Sequence, residues 1–429
     1  MKWILRILLL GMGLLLLAAG LVLLVPPVRE RAAWHINSWY IQLRYALRPP
    51  EQVVFVPDPT RPVLETVQAS TPTGLPPAAT LTPTPAPDAP TATVAPSPTP
   101  LPAAVSLKGV RYMDQHGLFN YCAPANLGMA LSYWGWSGTR IDVGKAVKPF
   151  EKDKNVMPYE LADFVAEQTD LLVLQRSGGN LELIKKLIAA GFPVLVEKGA
   201  YLEDLTGKIS WMGHYTVVTG YDDTAKQFTT QDSFYQADYL VSYATLESNW
   251  RAFNNLFLVI YPREKETQLM QVLGLYADET NAFNLALEEA TRATTLTAGN
   301  DQFFAWYNRG TSLVSLQDYR GAAEAYDQAF QLYAQLPADK RPWRMVWYQT
   351  GPYFAYFFAG RYTDVERLAT QTIEAASEPY IEESWLWRAR ARRALGDQEG
   401  ALADLRKSLD YHPDFAPSLA ELTSMGVAP

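Results

Sequence analysis

The sequence predicts an α+β domain with an antiparallel sheet, joined to an all-α helical-repeat domain and preceded by a transmembrane helix and a Pro/Thr-rich linker. Three observations carry this. Between residues 105 and 263 helical patterns come first and strand patterns follow, as when helices segregate from an antiparallel sheet. From residue 266 to 429, Ala, Leu, Glu, Arg, Tyr and Trp recur at helical spacing in similar units. Ahead of both lie an apolar run and a proline-dense stretch unlike anything downstream.

Taking the elements in order, Lys2 and Arg6 precede about 20 apolar residues that end at Val28, enough to span a bilayer. No small-x-small cleavage site or lipid-accepting cysteine closes the run, so residues 1–28 read as a signal anchor. Charges on its two sides are nearly balanced and do not set its orientation. In the juxtamembrane segment 29–68, Trp34, Trp39, Tyr40 and Tyr45 lie among Arg29, Arg31, Arg44 and Arg48. That composition suits either a headgroup layer or a helix end packed on the downstream domain. Residues 69–104 collapse to Thr, Pro, Ala and Ser, an extended tether of the kind found in stalks outside the cytoplasm. The expectation is a single-pass cell-membrane protein whose folded part is extracytoplasmic. One cysteine in 429 residues excludes a disulfide scaffold.

The folded sequence resumes at residue 105, and its key stretch is DQHGLFNYCAPANLGMALSYWGW, residues 114–136. Pro124 suits a first helical turn, Leu127, Leu131 and Trp134 form one apolar stripe, and Gly135 is a stop. Cys122 therefore stands at a helix N-terminus, where backbone N–H groups and the dipole favour a thiolate. A buried structural cysteine is the other reading. Gln115 lies seven residues upstream, within reach to donate to an oxyanion. A second helix spans Pro158 to Gln168, and Asn180 caps a third, LELIKKLIAAG. Pro193–Val196, Tyr215–Thr219, Gln227–Asp232 and Leu256–Tyr261 read as strands. His214 opens one strand and Asp232 ends the next, joined by the DDTAK turn, so the hairpin brings imidazole and carboxylate together. Of four histidines, His35 and His412 lie elsewhere, and His116 is the competing base. Asp222 or Asp223 is an alternative partner for the imidazole. Thiol, imidazole and acid are the parts of a nucleophilic system.

With Gln115, YCAPANLGMALSYWGW, GFPVLVEKG, GHYTVVTGYDD and QDS in this order, the domain resembles a papain-like cysteine peptidase of the bacteriocin-processing family that removes double-glycine leaders, in its stand-alone form. The resemblance implies Cys122 as nucleophile, His214 as proton carrier, Asp232 as the group that orients it and Gln115 as oxyanion donor. Ala123 stands where the family has glycine, and the Gln115-to-Cys122 loop is longer than usual. No GxxxxGK[ST] motif occurs, which excludes coupled export by an ATP-binding cassette in this sequence.

In the helical part, Trp306, Gly310, Leu313, Ala322, Tyr326 and Ala329 follow a tetratricopeptide pattern. Ala389, Ala401 and Leu405 repeat it, with Pro413 at the end. Trp347 to Glu374 is a degenerate copy, and Ala282 to Ala293 half of another. Such units build a concave surface for a peptide or partner protein. Their aromatic residues, among them Trp343, Trp347, Tyr353, Tyr356 and Phe357, are explained equally by stacking between helices.

No Cys/His cluster with ligand spacing appears, no cofactor motif is present, and a net charge of −8 disfavours non-specific nucleic-acid binding. Two expectations follow. One is a membrane-anchored extracytoplasmic cysteine peptidase acting on a peptide or protein substrate, with the repeats as docking surface. The alternative is a catalytically inactive papain-like domain serving as an adhesion or scaffolding module.

Overall fold

In a computed structural model, residues 36, 39–58, 100–148, 150, 152–204 and 207–428 are described. The first unit is α+β. Strands β1 (Ala104–Ser106), β2 (Leu172–Arg176), β3 (Val194–Glu203), β4 (Ile209–Asp222), β5 (Gln227–Asp232), β6 (Gln236–Ser242) and β7 (Phe257–Tyr261) form one sheet. Its order is β2-β7-β3-β4-β5-β6, all antiparallel, with β1 paired to the end of β4 beyond the reach of β3. The β4–β5 pairing is bulged between Val218 and Gly220, and the absence of a side chain at Gly220 lets β1 approach, because a Cβ there would stand 2.7 Å from the Val105 carbonyl oxygen.

Period-two alternation sorts the central strands between two cores. Leu195, Val217, Leu258 and Ile260 face α1 (Cys122–Tyr133), α2 (Arg140–Val147) and α3 (Pro158–Gln168). Val194, Val196, Val218 and Val259 face α4 (Leu181–Ala189) and α5 (Tyr243–Arg251). Both faces are covered, so these strands read in sequence as continuous apolar runs rather than alternating ones. Burying each such side chain contributes about 1.5–3 kcal/mol. Asn180 caps α4 as expected, accepting from the Leu183 N–H at 2.9 Å. Helix α1 is buried on more sides than its single predicted stripe requires, from Ala123 through Leu131.

The second unit is helical: α6 (Glu266–Leu273), α7 (Glu279–Leu296), α8 (Asn300–Ser315), α9 (Tyr319–Gln335), α10 (Met345–Tyr348), α11 (Gly351–Phe358), α12 (Tyr362–Ala375), α13 (Glu382–Ala394), α14 (Gln398–Tyr411) and α15 (Ala416–Ser424). Close crossing of α8 and α9 depends on Gly310, where a Cβ would lie 2.8 Å from the Tyr326 ring. Tyr353 and Tyr356 are fully buried, which is packing rather than an exposed recognition face. The two units share one core, since Trp211 and Phe253 of the first pack with Phe303, Phe304 and Tyr307 of the second. Residues 39–47 are helical, and the chain 53–58 continues across the repeats, with Phe55 against Phe330 at 5.0 Å between ring centroids. Arg44 donates to the Ser377 and Glu374 carbonyls, so this part of the predicted juxtamembrane segment packs on the downstream helices.

The membrane expectation is corrected. Among the described residues no helix is long and apolar enough to cross a membrane. The transmembrane helix in the predicted fold, the membrane as partner and the single-pass location therefore find no element among the described residues to carry them. The predicted span 1–28 lies outside the described residues, as does most of the linker 69–104.

Candidate functional site

Helix α1 places Cys122 as its first residue, directly beneath β4. The β4–β5 pairing then supplies the rest. His214 Nε2 and Asp232 Oδ1 are 2.8 Å apart, both fully buried. Asp232 Oδ1 also accepts from the Phe234 N–H at 3.0 Å, and its Oδ2 from Lys198 Nζ at 3.1 Å. Burial opposes ionisation of Asp232, but the charges and hydrogen bonds of His214 and Lys198 hold its carboxyl well below the usual range. Burial likewise opposes protonation of His214, and Asp232 together with Cys122 more than offsets it, raising the imidazole to about 9.

The other ring nitrogen faces a different situation. His214 Nδ1 is buried and makes no hydrogen bond. Cys122 is nevertheless close enough to feel the ring. Burial pushes its thiol up, while His214 and the backbone N–H groups of Tyr215 and Ala123 bring it below its ordinary value. Thiol and imidazole are adjacent, and each shifts the titration of the other.

Gln115 lines the same cleft as Cys122 and His214. Its Oε1 accepts from Ser233 Oγ at 2.7 Å, its backbone N–H donates to the Ser233 carbonyl, and Ser233 accepts from Asn126 Nδ2 at 2.7 Å. Holding the carbonyl end in this way leaves the amide nitrogen as the donor end. The competing residues lie elsewhere. His116 pairs with Asp114 at 2.6 Å on the surface, Asp222 caps the turn through Thr224 and Ala225, and Asp223 binds Lys185 and Tyr243.

Sequence reasoning missed Glu197 and Lys198, adjacent in EKG on β3. Glu197 is buried in the cleft, and burial with the nearby Cys122 raises its carboxyl well above the usual range. Two charged residues inside an otherwise apolar strand were the available signal. The roof was also missed. Arg344, Trp347 and Tyr348 of the helical unit line the cleft opposite Cys122, and a Cβ on Gly213 would meet the Tyr348 ring at 3.1 Å.

The expectation of a membrane-anchored extracytoplasmic peptidase is therefore corrected on two grounds. No described helix crosses a membrane, and the His214 ring nitrogen turned away from Asp232 has no hydrogen-bond partner of ordinary geometry.

Comparison with known proteins agrees with the two-part architecture. Residues 107–257 match the model of the Peptidase_C39 like family, and residues 305–336 match the Tetratricopeptide repeat. The first unit is thus a C39-like domain, followed by a tetratricopeptide region. A crystal structure titled as a C39-like peptidase from Bacillus anthracis is 18% identical, covering 37% of this chain and 98% of its own, with a TM-score of 0.31. No curated protein matches the chain.

Proposed function

We propose that the chain is a scaffolding module that holds an extended peptide segment of a partner protein in a cleft shared by its C39-like and helical units, divided at about residues 263–266. The observation that carries this reading is the composite lining: Gly213 and His214 from the C39-like unit with Arg344, Trp347 and Tyr348 from the helical unit. Aromatic and arginine side chains in a desolvated pocket are the usual anchors of such binding. A cleft roofed by the helical unit favours holding over turnover.

A second reading is favoured by the 2.8 Å His214–Asp232 pair and the lowered Cys122 thiol. On it, the adjacent sulfur and imidazole act on a bound peptide and the domain is a cysteine-type peptidase. Cys122 attacks the carbonyl, His214 passes its proton to the leaving amine, Asp232 orients the ring and Gln115 steadies the oxyanion. A double-glycine peptide is the first substrate to try.

An arrayed library of extended peptides, read by fluorescence anisotropy on wild type, Cys122→Ser and Tyr348→Ala, separates the readings. Scaffolding requires Cys122→Ser to bind as wild type does and Tyr348→Ala to lose about tenfold or more, a hot-spot-sized effect. Unchanged affinity in Tyr348→Ala overturns the composite cleft. Covalent capture of an electrophilic Gly-Gly peptide by Cys122, abolished in a folded His214→Ala protein, establishes the hydrolase reading instead.

A further inference from the structure

A second cluster of chemistry-bearing side chains lies away from the cleft, where the last repeat meets the C39-like domain. Glu160, Glu382 and His412 each offer one ligand atom, and these atoms lie within 4.8 Å of one another. Glu160 belongs to the first turn of α3, Glu382 to the first turn of α13, and His412 follows α14. His412 Nδ1 is 2.9 Å from Glu382 Oε1. Buried Asp153 and Glu383 adjoin them, and among the described residues the Glu382–His412 pair is the only ion pair these four carboxylates make. A helix N-terminus accounts for Glu382 and Glu383, since its dipole favours acids there. Glu160 likewise caps the start of its own helix α3, accepting from the Met157 N–H at 2.6 Å. It and Asp153 nevertheless arrive from the other unit, and no single helix end explains why the four acids meet.

A separate observation points to a ligand. Asn155 is 5% exposed, and its Nδ2 donates to Glu383 Oε2 at 3.5 Å, while its Oδ1 is buried with no partner. The two ends of one amide are neighbours, so this orphaned acceptor lies near Glu383, which adjoins Glu382 in the chain. A buried oxygen near an acid lacks a donor or a cation.

We propose that Glu160, Glu382 and His412 bind a divalent transition-metal ion of the zinc or manganese type, which clamps the C-terminal repeat to the C39-like domain. Mixed imidazole and carboxylate donors suit such ions better than magnesium or calcium, whose sites are all oxygen. Bonds of about 2.0–2.1 Å put two ligands of one ion about 3.3 Å apart, so His412 and Glu382 part slightly while Glu160 closes on them. Asn155 and water fill the remaining positions. The three ligands are separated by 222 and 30 residues along the chain, and no sequence spacing announces them.

The test uses the full chain, stripped with chelator and dialysed against Zn²⁺ or Mn²⁺, with bound metal measured by mass spectrometry. Wild type is expected to retain one equivalent of Zn²⁺ or Mn²⁺ and to melt at a higher temperature with it. Glu382→Gln and His412→Gln are expected to weaken retention about tenfold or more. Cys122→Ser is expected to retain the ion, which separates this site from thiol ligation in the cleft. Absence of retention in wild type overturns the proposal, as does retention that survives both ligand variants or disappears with Cys122. Should Glu382→Gln fail to fold, His412→Gln at the half-buried rim decides alone.

Discussion

His214 and Cys122 illustrate how two groups tune one another across a short gap. With its pKa raised to about 9, the imidazole contributes stability that is complete below about pH 6.5 and lost as pH rises through 9. The thiol works in the opposite sense, because its folded pKa lies below its ordinary value. The two partly cancel in global stability, so the rate of Cys122 alkylation is the better reading of the pair. Wild type is expected to alkylate with iodoacetamide at pH 7 several-fold faster than a free thiol of pKa about 8.5, with a midpoint below it. His214→Ala is expected to move that midpoint upward, and an unmoved profile would mean the ring does not act on the sulfur. The pairing of His214 with Asp232 was legible in the sequence, since a hairpin of known turn fixes which residues meet. Lys198 and Ser233 were not, because each acts by holding another side chain.

At the scale of elements, local signals were most reliable where a single residue closes a helix end or a crossing. Asn180 accepts the Leu183 N–H and is exposed, so Asn180→Ala is expected to cost about 1 kcal/mol in urea unfolding without altering Cys122 reactivity. Gly310 is required by contact, and Gly310→Val is expected to cost more, about 1–3 kcal/mol, by driving α8 off the Tyr326 ring. Strands β2 and β6 and helices α2 and α5 had escaped sequence reading. Strand β6 is mostly exposed and lacks an apolar face, and β2 is half-buried on either side of a single buried Leu174. Neither carries the alternation by which strands announce themselves.

For the whole molecule, the decisive feature is that the helical unit is not a separate bead. Arg344 is buried between the units, donating to Ser210 Oγ at 2.6 Å, the Trp211 carbonyl at 3.0 Å and Asp204 Oδ2 at 3.0 Å. Arg344→Ala leaves that acid buried without this partner and is expected to cost about 3–5 kcal/mol. Faster limited proteolysis between the units, with the C39-like domain still folded, is the readout. A stability loss under 1 kcal/mol would mean the aromatic core around Trp211 and Phe253 alone fastens them.

By itself the sequence determined several of the helices and strands, among them α1, α3, α4 and the cores of β3, β4, β5 and β7, together with the α+β-then-helical order and the meeting of His214 with Asp232. Each of these follows from periodicity, capping residues and turn chemistry, which act over a few neighbouring positions. Only the tertiary structure decided that the helical unit roofs the thiol cleft, that residues 53–58 lie across the repeats, and that Glu160 meets Glu382 and His412. Those contacts join positions hundreds of residues apart, and they are selected by the complementarity of packed surfaces, which leaves no period or spacing in the chain to read.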